Sequence, residues 1–200
     1  MRPPYIFIAT LFIGFSLNAQ TASFDNAEPY DYDTTLKGGY TLFFKVDDKL
    51  QYLYLRKNGR TIAELASTSK GMPYKNLGYV GADFTDYFVL THSFGSGNPH
   101  YIELIKKSTG KNILKPGAAW IDKNEQKQIL LYSDNDSPSP KDKMTLYNIK
   151  TGQKKLLSFP SDIFGEAEIL NRIEIYLLTD KQLVIKYNTK NGSLTRQYSR

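Results

Sequence analysis

The chain has 200 residues, of which 14% are aromatic, carries a formal net charge of +6 and contains no cysteine. The absence of cysteine excludes a fold held by disulfides, so an exported chain of this size must be stabilised by its own hydrophobic core. The basic residues are scattered or occur in pairs such as Lys106-Lys107 and Lys154-Lys155, which are expected at solvated strand ends. Because no long basic stripe is present, no nucleic-acid partner is predicted.

Residues 1–19 are predicted to be a secretory signal peptide. Arg2 precedes an apolar stretch from Tyr5 to Leu17, and small or polar residues follow as far as Ala19, in the order that signal peptides share. The stretch is shorter than the ~20 apolar residues that a spanning helix needs, so no membrane span is expected after cleavage. These features predict an exported bacterial protein, periplasmic or secreted.

Residues 20–37 are polar and acidic, have no helical period, and are expected to form a disordered leader. Their acids lack the Asp-x-Asp-x-Asp-Gly spacing of a calcium loop. Residues 38–200 are predicted to form a single β-repeat domain. Tyr40–Val46 is rich in aromatic and β-branched residues, and Asn58-Gly59 between two alternating runs is a strong hairpin signal.

One hairpin pattern recurs four times, with an alternating run, a glycine-containing turn and a second short run. The turn glycines are 51, 42 and 40 residues apart along the chain, at Gly59, Gly110, Gly152 and Gly192. A period of this length with four short strands per unit is typical of propeller blades. The fold class is therefore predicted to be all-β, with four repeated antiparallel units in a small four-bladed propeller-like arrangement. An open β-sandwich built from the same hairpins is the alternative.

The hairpins resemble the outer strand pairs of quinoprotein-like and TolB-like β-propeller blades. The residues that carry the resemblance are Leu146, Tyr147, Ile149, Thr151 and Gly152, with counterparts Leu104, Ile105, Thr109 and Gly110. The chain has neither the Gly-His/Trp-Asp signature nor a tryptophan in every unit, because it contains one tryptophan in all. The resemblance therefore implies a fold and no cofactor.

Two long loops are expected to lie on one face of such an assembly. In a propeller, the turns between second and third strands share a face with the links between units. Two of these turns are predicted to be tight, Asp47-Asp48-Lys49 and Asp180-Lys181, whereas Ser93 to Pro99 and Ser133 to Asp142 are long. Long loops on a rigid scaffold are where binding groups usually lie.

The candidate binding residues come from these loops and from the link at Tyr74: Tyr74, His92, Phe94, Ser96, Asn98, His100, Asp134, Asn135 and Asp136. Tyr74 and Phe94 offer rings for stacking on a sugar or a peptide. A weaker alternative is a metal site formed by His92, His100 and Asp134, if the two histidines face each other across a hairpin.

No complete catalytic motif is present. Ser96 lies between two glycines in a predicted hairpin, whereas a nucleophile elbow needs a strand, Gly-x-Ser-x-Gly and a helix. The sequence therefore predicts a non-enzymatic binding protein whose partner is an unidentified protein or glycan of the cell envelope. The alternatives are an envelope hydrolase acting on glycans, with acids among Asp83, Asp86, Glu103 and Asp122, or a purely structural envelope protein.

Overall fold

The computed structural model describes residues 34–73, 76–92, 100–134, 143–165 and 169–199, and throughout this part the chain is all-β. Its strands form three antiparallel sheets. Within them, four consecutive groups of strands follow one another along the chain. We call these groups units 1 to 4.

Unit 1 is a meander in the spatial order β1-β2-β3-β4. Its strands are β1 (Thr35–Leu36), β2 (Tyr40–Val46), β3 (Leu50–Lys57) and β4 (Arg60–Ser69). The predicted hairpin at Asn58-Gly59 is confirmed, and both residues have the positive φ (50° and 75°) that a tight two-residue turn requires. Strand β1 lies before residue 38, and its Leu36 is paired with Tyr40 and is 2% exposed.

Units 2 and 3 share one continuous sheet. Unit 2 contains β5 (Tyr79–Asp83), β6 (Tyr87–His92), β7 (Tyr101–Lys106) and β8 (Lys111–Asn112), and unit 3 contains β9 (Ala119–Asn124), β10 (Ile129–Ser133), β11 (Lys143–Asn148) and β12 (Gln153–Ser158). Strands β7 and β9 meet at Tyr101 and Ala119, and the Ile102 N–H donates to the Ala118 carbonyl at 2.8 Å. The repeat predicted four separate sheets, one for each unit, whereas the described strands form three, because units 2 and 3 share one sheet.

Unit 4 follows a 3₁₀ turn (Ile169–Arg172) and contains β13 (Ile173–Leu178), β14 (Gln182–Thr189) and β15 (Gly192–Ser199). The turn at Asp180-Lys181 was predicted to join a second and a third strand. Among the described residues it joins the first two strands of the unit, because residues 169–172, directly before β13, form the 3₁₀ turn rather than an inner strand. Asn124 Nδ2 donates to the Leu178 carbonyl at 2.7 Å, so this turn lies beside the end of β9.

The core consists of three hydrophobic clusters, each between consecutive units. Units 1 and 2 bury Leu42, Leu53, Phe88 and Leu90 between them. Units 2 and 3 bury a second cluster that includes Val89, Leu104, Leu130 and Tyr132. Units 3 and 4 bury a third, including Leu131, Leu146, Leu183 and Ile185. The units therefore pack face to face in chain order.

The positions of the units explain the burial patterns of their strands. Strand β10 of unit 3 is buried at all five positions because its sheet is covered on both faces. Strands β3 and β14, in units 1 and 4, alternate between buried and more accessible positions, as sheets covered on one face do. Among the described residues, no strand pairing and no hydrophobic cluster joins unit 4 to unit 1. The closed four-bladed arrangement thus stays a prediction, and the open sandwich is compatible with this architecture.

Within the described part of the chain, no helix is long and apolar enough to cross a membrane.

Candidate binding site at the long-loop edge

The stems of both long loops lie side by side at one edge of the large sheet. Ser133 of β10 pairs with Ala119 of β9, Ala119 pairs with Tyr101 of β7, and Tyr101 pairs with His92 of β6. The loop that joins β6 to β7 and the loop that follows Asp134 therefore leave the same edge, with only β9 between their nearest stems, β7 and β10. We call it the long-loop edge, and the opposite edge, with the turns at 84–86, 107–110, 125–128 and 149–152, the short-turn edge.

Six of the nine predicted site residues are outside the part of the chain that the structure describes. They lie in the link and in the two loops: Tyr74, Phe94, Ser96, Asn98, Asn135 and Asp136. The three that the structure describes are His92, His100 and Asp134, and each of them lies at a loop stem.

His92 ends β6 and is part-buried between units 1 and 2. Its Nε2 lies 3.0 Å from Glu103 Oε1, and its Nδ1 lies 3.3 Å from the carbonyl oxygen of Asn76. Burial opposes the charged imidazolium, but the hydrogen bonds to the Glu103 carboxylate and the Asn76 carbonyl outweigh it and raise the pKa of His92. The side chain thus joins the stem of the first long loop to the link between units 1 and 2.

His100 precedes β7 and contacts a different partner. Its Nδ1 lies 2.9 Å from the hydroxyl of Tyr79, and the two rings meet edge to face with centroids 6.4 Å apart. Burial raises the pKa of Tyr79 above its ordinary value. This Tyr79–His100 pair presents two polar rings at the base of the first long loop.

The two histidines lie on opposite faces of the sheet. Tyr79 is opposite Thr91, whereas His92 is the next residue along β6, and successive side chains of a strand point to opposite faces. His92 and His100 therefore do not face each other across the hairpin. Among the described residues, no group of three or more His, Asp or Glu side chains is placed to hold a metal ion.

Asp134 and Trp120 lie at the base of the second long loop. Asp134 Oδ1 is buried and has no hydrogen-bond partner within the described part of the chain. Burial, together with the nearby Asp134 carboxylate, raises the pKa of Tyr132 to about 12. Trp120 is opposite Tyr132 and packs partly buried against the core of units 2 and 3, close to Gly81, where a Cβ would lie 3.4 Å from its ring.

The acids considered for glycan hydrolysis are not assembled in one place. Glu103 contacts His92 at the long-loop edge. Asp83 pairs with Lys107 at 2.7 Å near the short-turn edge. Asp122 is opposite Leu131, on the face of unit 3 that packs on unit 4, and burial raises its pKa. The described residues therefore offer hydrogen-bonding and stacking groups at the long-loop edge, and no pair of acids there.

Two features of the structure were missed by sequence reasoning. Glu103, considered only as an acid of the hydrolase alternative, is the partner of His92, as the register of β6 and β7 allows. Lys107 was expected at a solvated strand end and is instead 1% exposed. No signal in the sequence distinguishes Lys107 from its neighbour Lys106, because only the packing of units 1 and 2 decides which of them is enclosed.

Comparisons with known proteins do not identify this chain. No protein-family model matches it, and no curated protein matches it. Among solved structures, the chain is similar to the 1.18 Å crystal structure of an uncharacterized protein from Listeria monocytogenes EGD-e, with 10% sequence identity and a TM-score of 0.35. The similarity covers 84% of this chain and 53% of the other, so the chain spans about half the length of that protein.

Replacing His92 by glutamine is expected to destabilise the domain more in acid than in alkali. The pKa of His92 is raised in the folded protein. The stability that the protonated His92 ring contributes is therefore fully present below the pKa of His92 in the unfolded chain, and it is lost as the pH rises through the pKa of His92 in the folded protein. Urea unfolding of wild type and His92→Gln should therefore differ more at about pH 5.5 than at about pH 8.5. Glu103→Gln should remove most of the same pH dependence. An equal loss at both pH values would show that His92 acts through packing alone.

Proposed function

We propose that this chain is an exported, non-enzymatic binding protein that holds a protein or glycan partner at the long-loop edge. The observation that carries the proposal is that the two long loops leave one edge of one sheet with stems close together. A partner at this edge would contact both loops at once. The predicted residues in the loops, together with His92, His100 and Asp134, would then form one surface.

The rigidity of the stems supports this use of the edge. The first loop leaves strands whose central residues, Val89 and Leu104, are fully buried between units. His92 and Tyr79 hold both sides of that stem by hydrogen bonds. A fixed stem reduces the conformational entropy that a binding loop loses on association.

We further propose that the four units are arranged as the blades of a small propeller. Face-to-face packing in chain order and the meander of each unit support this arrangement. In a closed ring, the outward side chains of unit 1 would approach those of unit 4. Cysteines at Phe43 and Tyr176 should then be joined within one chain by a flexible bis-maleimide crosslinker, and a double variant that is not joined would favour the open sandwich.

Export is the third part of the proposal. It rests on the signal-like pattern of residues 1–19, which lie outside the described residues. Intact mass measurement of the protein purified from a bacterial culture should give a chain that begins near residue 20. A full-length chain found only in the cytoplasm would contradict the proposal.

Site-specific photo-crosslinking tests the proposed edge. A photoreactive amino acid replaces His100 at the long-loop edge, and Lys127, an exposed residue of the short-turn edge, serves as the matched control. In growing cells, we expect a discrete adduct from position 100, none from position 127, and loss of the adduct when residues 93–99 are replaced by Asn-Gly. Adducts that are equal at both positions, or that survive the shortened loop, would overturn the proposal.

Purified peptidoglycan sacculi provide a second probe, because they distinguish glycan binding from glycan hydrolysis. Cosedimentation that requires the long loops, without release of reducing ends, would identify a glycan partner. Release of reducing ends by wild type, reduced at least about 100-fold in Glu103→Gln, would instead favour the hydrolase alternative.

A further inference from the structure

A cleft of about 450 Å³ lies between units 3 and 4, next to the short-turn edge. Its lining residues come from strands β10 to β12 and from the β13–β14 turn: Ile129, Leu146, Asn148, Gln153, Lys154, Lys155 and Asp180. Its volume falls within the range of pockets that hold small molecules. The cleft is at the opposite end of β10 and β11 from the second long loop, so it is separate from the long-loop edge.

The cleft has an apolar floor and a polar wall. Ile129 (1% exposed) and Leu146 (9% exposed) form the floor, which belongs to the core between the two units. Asn148 and Gln153 are directly opposite each other on β11 and β12. Each carries a side-chain amide; Asn148 Oδ1 accepts a hydrogen bond from the Thr151 N–H at 3.0 Å, and the NH₂ group of Asn148 is a donor. This wall matches a ligand that itself contains peptide groups.

Opposite charges lie on the two sides of the cleft. Lys155, on β12 of unit 3, donates to the Ser199 carbonyl at 2.6 Å, and the other two hydrogens of its ammonium group are additional donors. Asp180, in the β13–β14 turn of unit 4, contributes a carboxylate from the other side. The ammonium group of Lys154 lies 4.9 Å from the centre of the Tyr147 ring, on the face of the sheet that packs on unit 2. Lys155 and Asp180 therefore lie on opposite sides of the cleft, and the ammonium group of Lys154, although Lys154 is a lining residue, lies on the other face of the sheet.

We propose that this cleft binds a short peptide of about two or three residues with free ends. The α-carboxylate pairs with Lys155, the α-ammonium pairs with Asp180, the peptide groups bond to Asn148 and Gln153, and an apolar side chain contacts Ile129 and Leu146. An extended peptide advances about 3.5 Å per residue, so two or three residues are about 7–10 Å long.

Other ligand classes fit the described lining less well. A sugar is usually held on an aromatic ring, and no aromatic side chain is among the described lining residues. A nucleotide would leave Asp180 next to its phosphates, which repel a carboxylate.

The dipeptide Ala-Leu is the probe for this proposal, used with N-acetyl-Ala-Leu and Ala-Leu-amide as capped controls. Titration of residues 20–200, followed by the NMR signals of the Asn148 and Gln153 side-chain amides, should give weak, saturable binding of Ala-Leu. Either cap should lower the affinity by about tenfold, because each removes one charge pair. Binding of all three peptides with equal affinity, or no shift of these amide signals at about 10 mM Ala-Leu, would overturn the proposal.

The variant Asp180→Lys tests whether Asp180 is the partner of the peptide's α-ammonium group. The matched charge reversal is Asp48→Lys, in the exposed β2–β3 turn of unit 1. Asp180→Lys should lower Ala-Leu affinity about tenfold and should abolish the preference over N-acetyl-Ala-Leu, whereas Asp48→Lys should change neither. An Asp180→Lys variant that keeps the wild-type preference would contradict the assignment. Because the cleft and the long-loop edge are apart, shortening residues 93–99 should leave Ala-Leu binding unchanged, so the two proposals can fail independently.

Discussion

Replacing Lys107 by methionine is expected to lower the free energy of unfolding by about 3–5 kcal/mol. Lys107 is 1% exposed, and its Nζ contacts Asp83 Oδ1 at 2.7 Å. The same ammonium group donates to the carbonyl oxygens of Lys37, Phe84 and Thr85 at 2.9, 2.7 and 3.2 Å. Methionine fills a similar volume but removes the charge, which leaves the largely buried Asp83 carboxylate and three carbonyl groups without this donor.

The effect should be large because the Lys107 contacts connect separate parts of the fold. The Lys37 carbonyl belongs to the β1–β2 turn of unit 1, and the Phe84 and Thr85 carbonyls belong to the β5–β6 turn of unit 2. The side chain of Lys37 contacts Glu125 of unit 3 at 3.1 Å, which extends the network across three units. A domain is usually stable by only 5–15 kcal/mol, so this one substitution removes a substantial part of the total.

Lys106→Met is the matched control for this prediction. Lys106 is the preceding residue and is exposed, so its replacement should change stability by less than about 0.5 kcal/mol. In urea unfolding, Lys107→Met/Asp83→Asn should be less destabilised than Lys107→Met alone, because the uncompensated carboxylate is removed. If Lys107→Met and Lys106→Met unfold at the same urea concentration, Lys107 is not enclosed as described.

The second large effect distinguishes a middle unit from a terminal one. In β10 of unit 3, Leu130→Ala and Leu131→Ala should each cost about 2–5 kcal/mol. Both side chains are 0% exposed although they point to opposite faces, Leu130 towards unit 2 and Leu131 towards unit 4. Each substitution opens a cavity in a different cluster.

In β13 of unit 4, the same pair of substitutions should give unequal results. Leu178 is 5% exposed and Leu177 is 40% exposed. Leu178→Ala should cost about 2–5 kcal/mol, and Leu177→Ala less than about 1 kcal/mol. All four variants replace a leucine by an alanine, so differences in their stability to urea reflect differences in how deeply each leucine is buried. Equal losses at Leu177 and Leu178 would show that the outer face of unit 4 is covered in solution, as a closed ring or an oligomer would require.

The sequence by itself determined the class of the fold. Period-two runs and turn signals act between neighbouring residues, so hairpins such as the one at Asn58-Gly59 could be predicted locally and are present. The difference between middle and terminal units is seen in the burial of their strands. Strand β10 is buried at all five positions, whereas β3 alternates between buried and more accessible positions.

Only the tertiary structure decided how these hairpins are joined and where their ends lie. Strand register decides three features: the pairing of β7 with β9, the side of the sheet that each histidine occupies, and the edge at which the Asp180 turn lies. A shift of one residue in register would move every side chain of a strand to the other face of the sheet. The enclosure of Lys107 likewise needs carbonyl groups from two units, the most distant of them 70 residues away in sequence. Such contacts form between groups that are distant along the chain, so no local pattern encodes them.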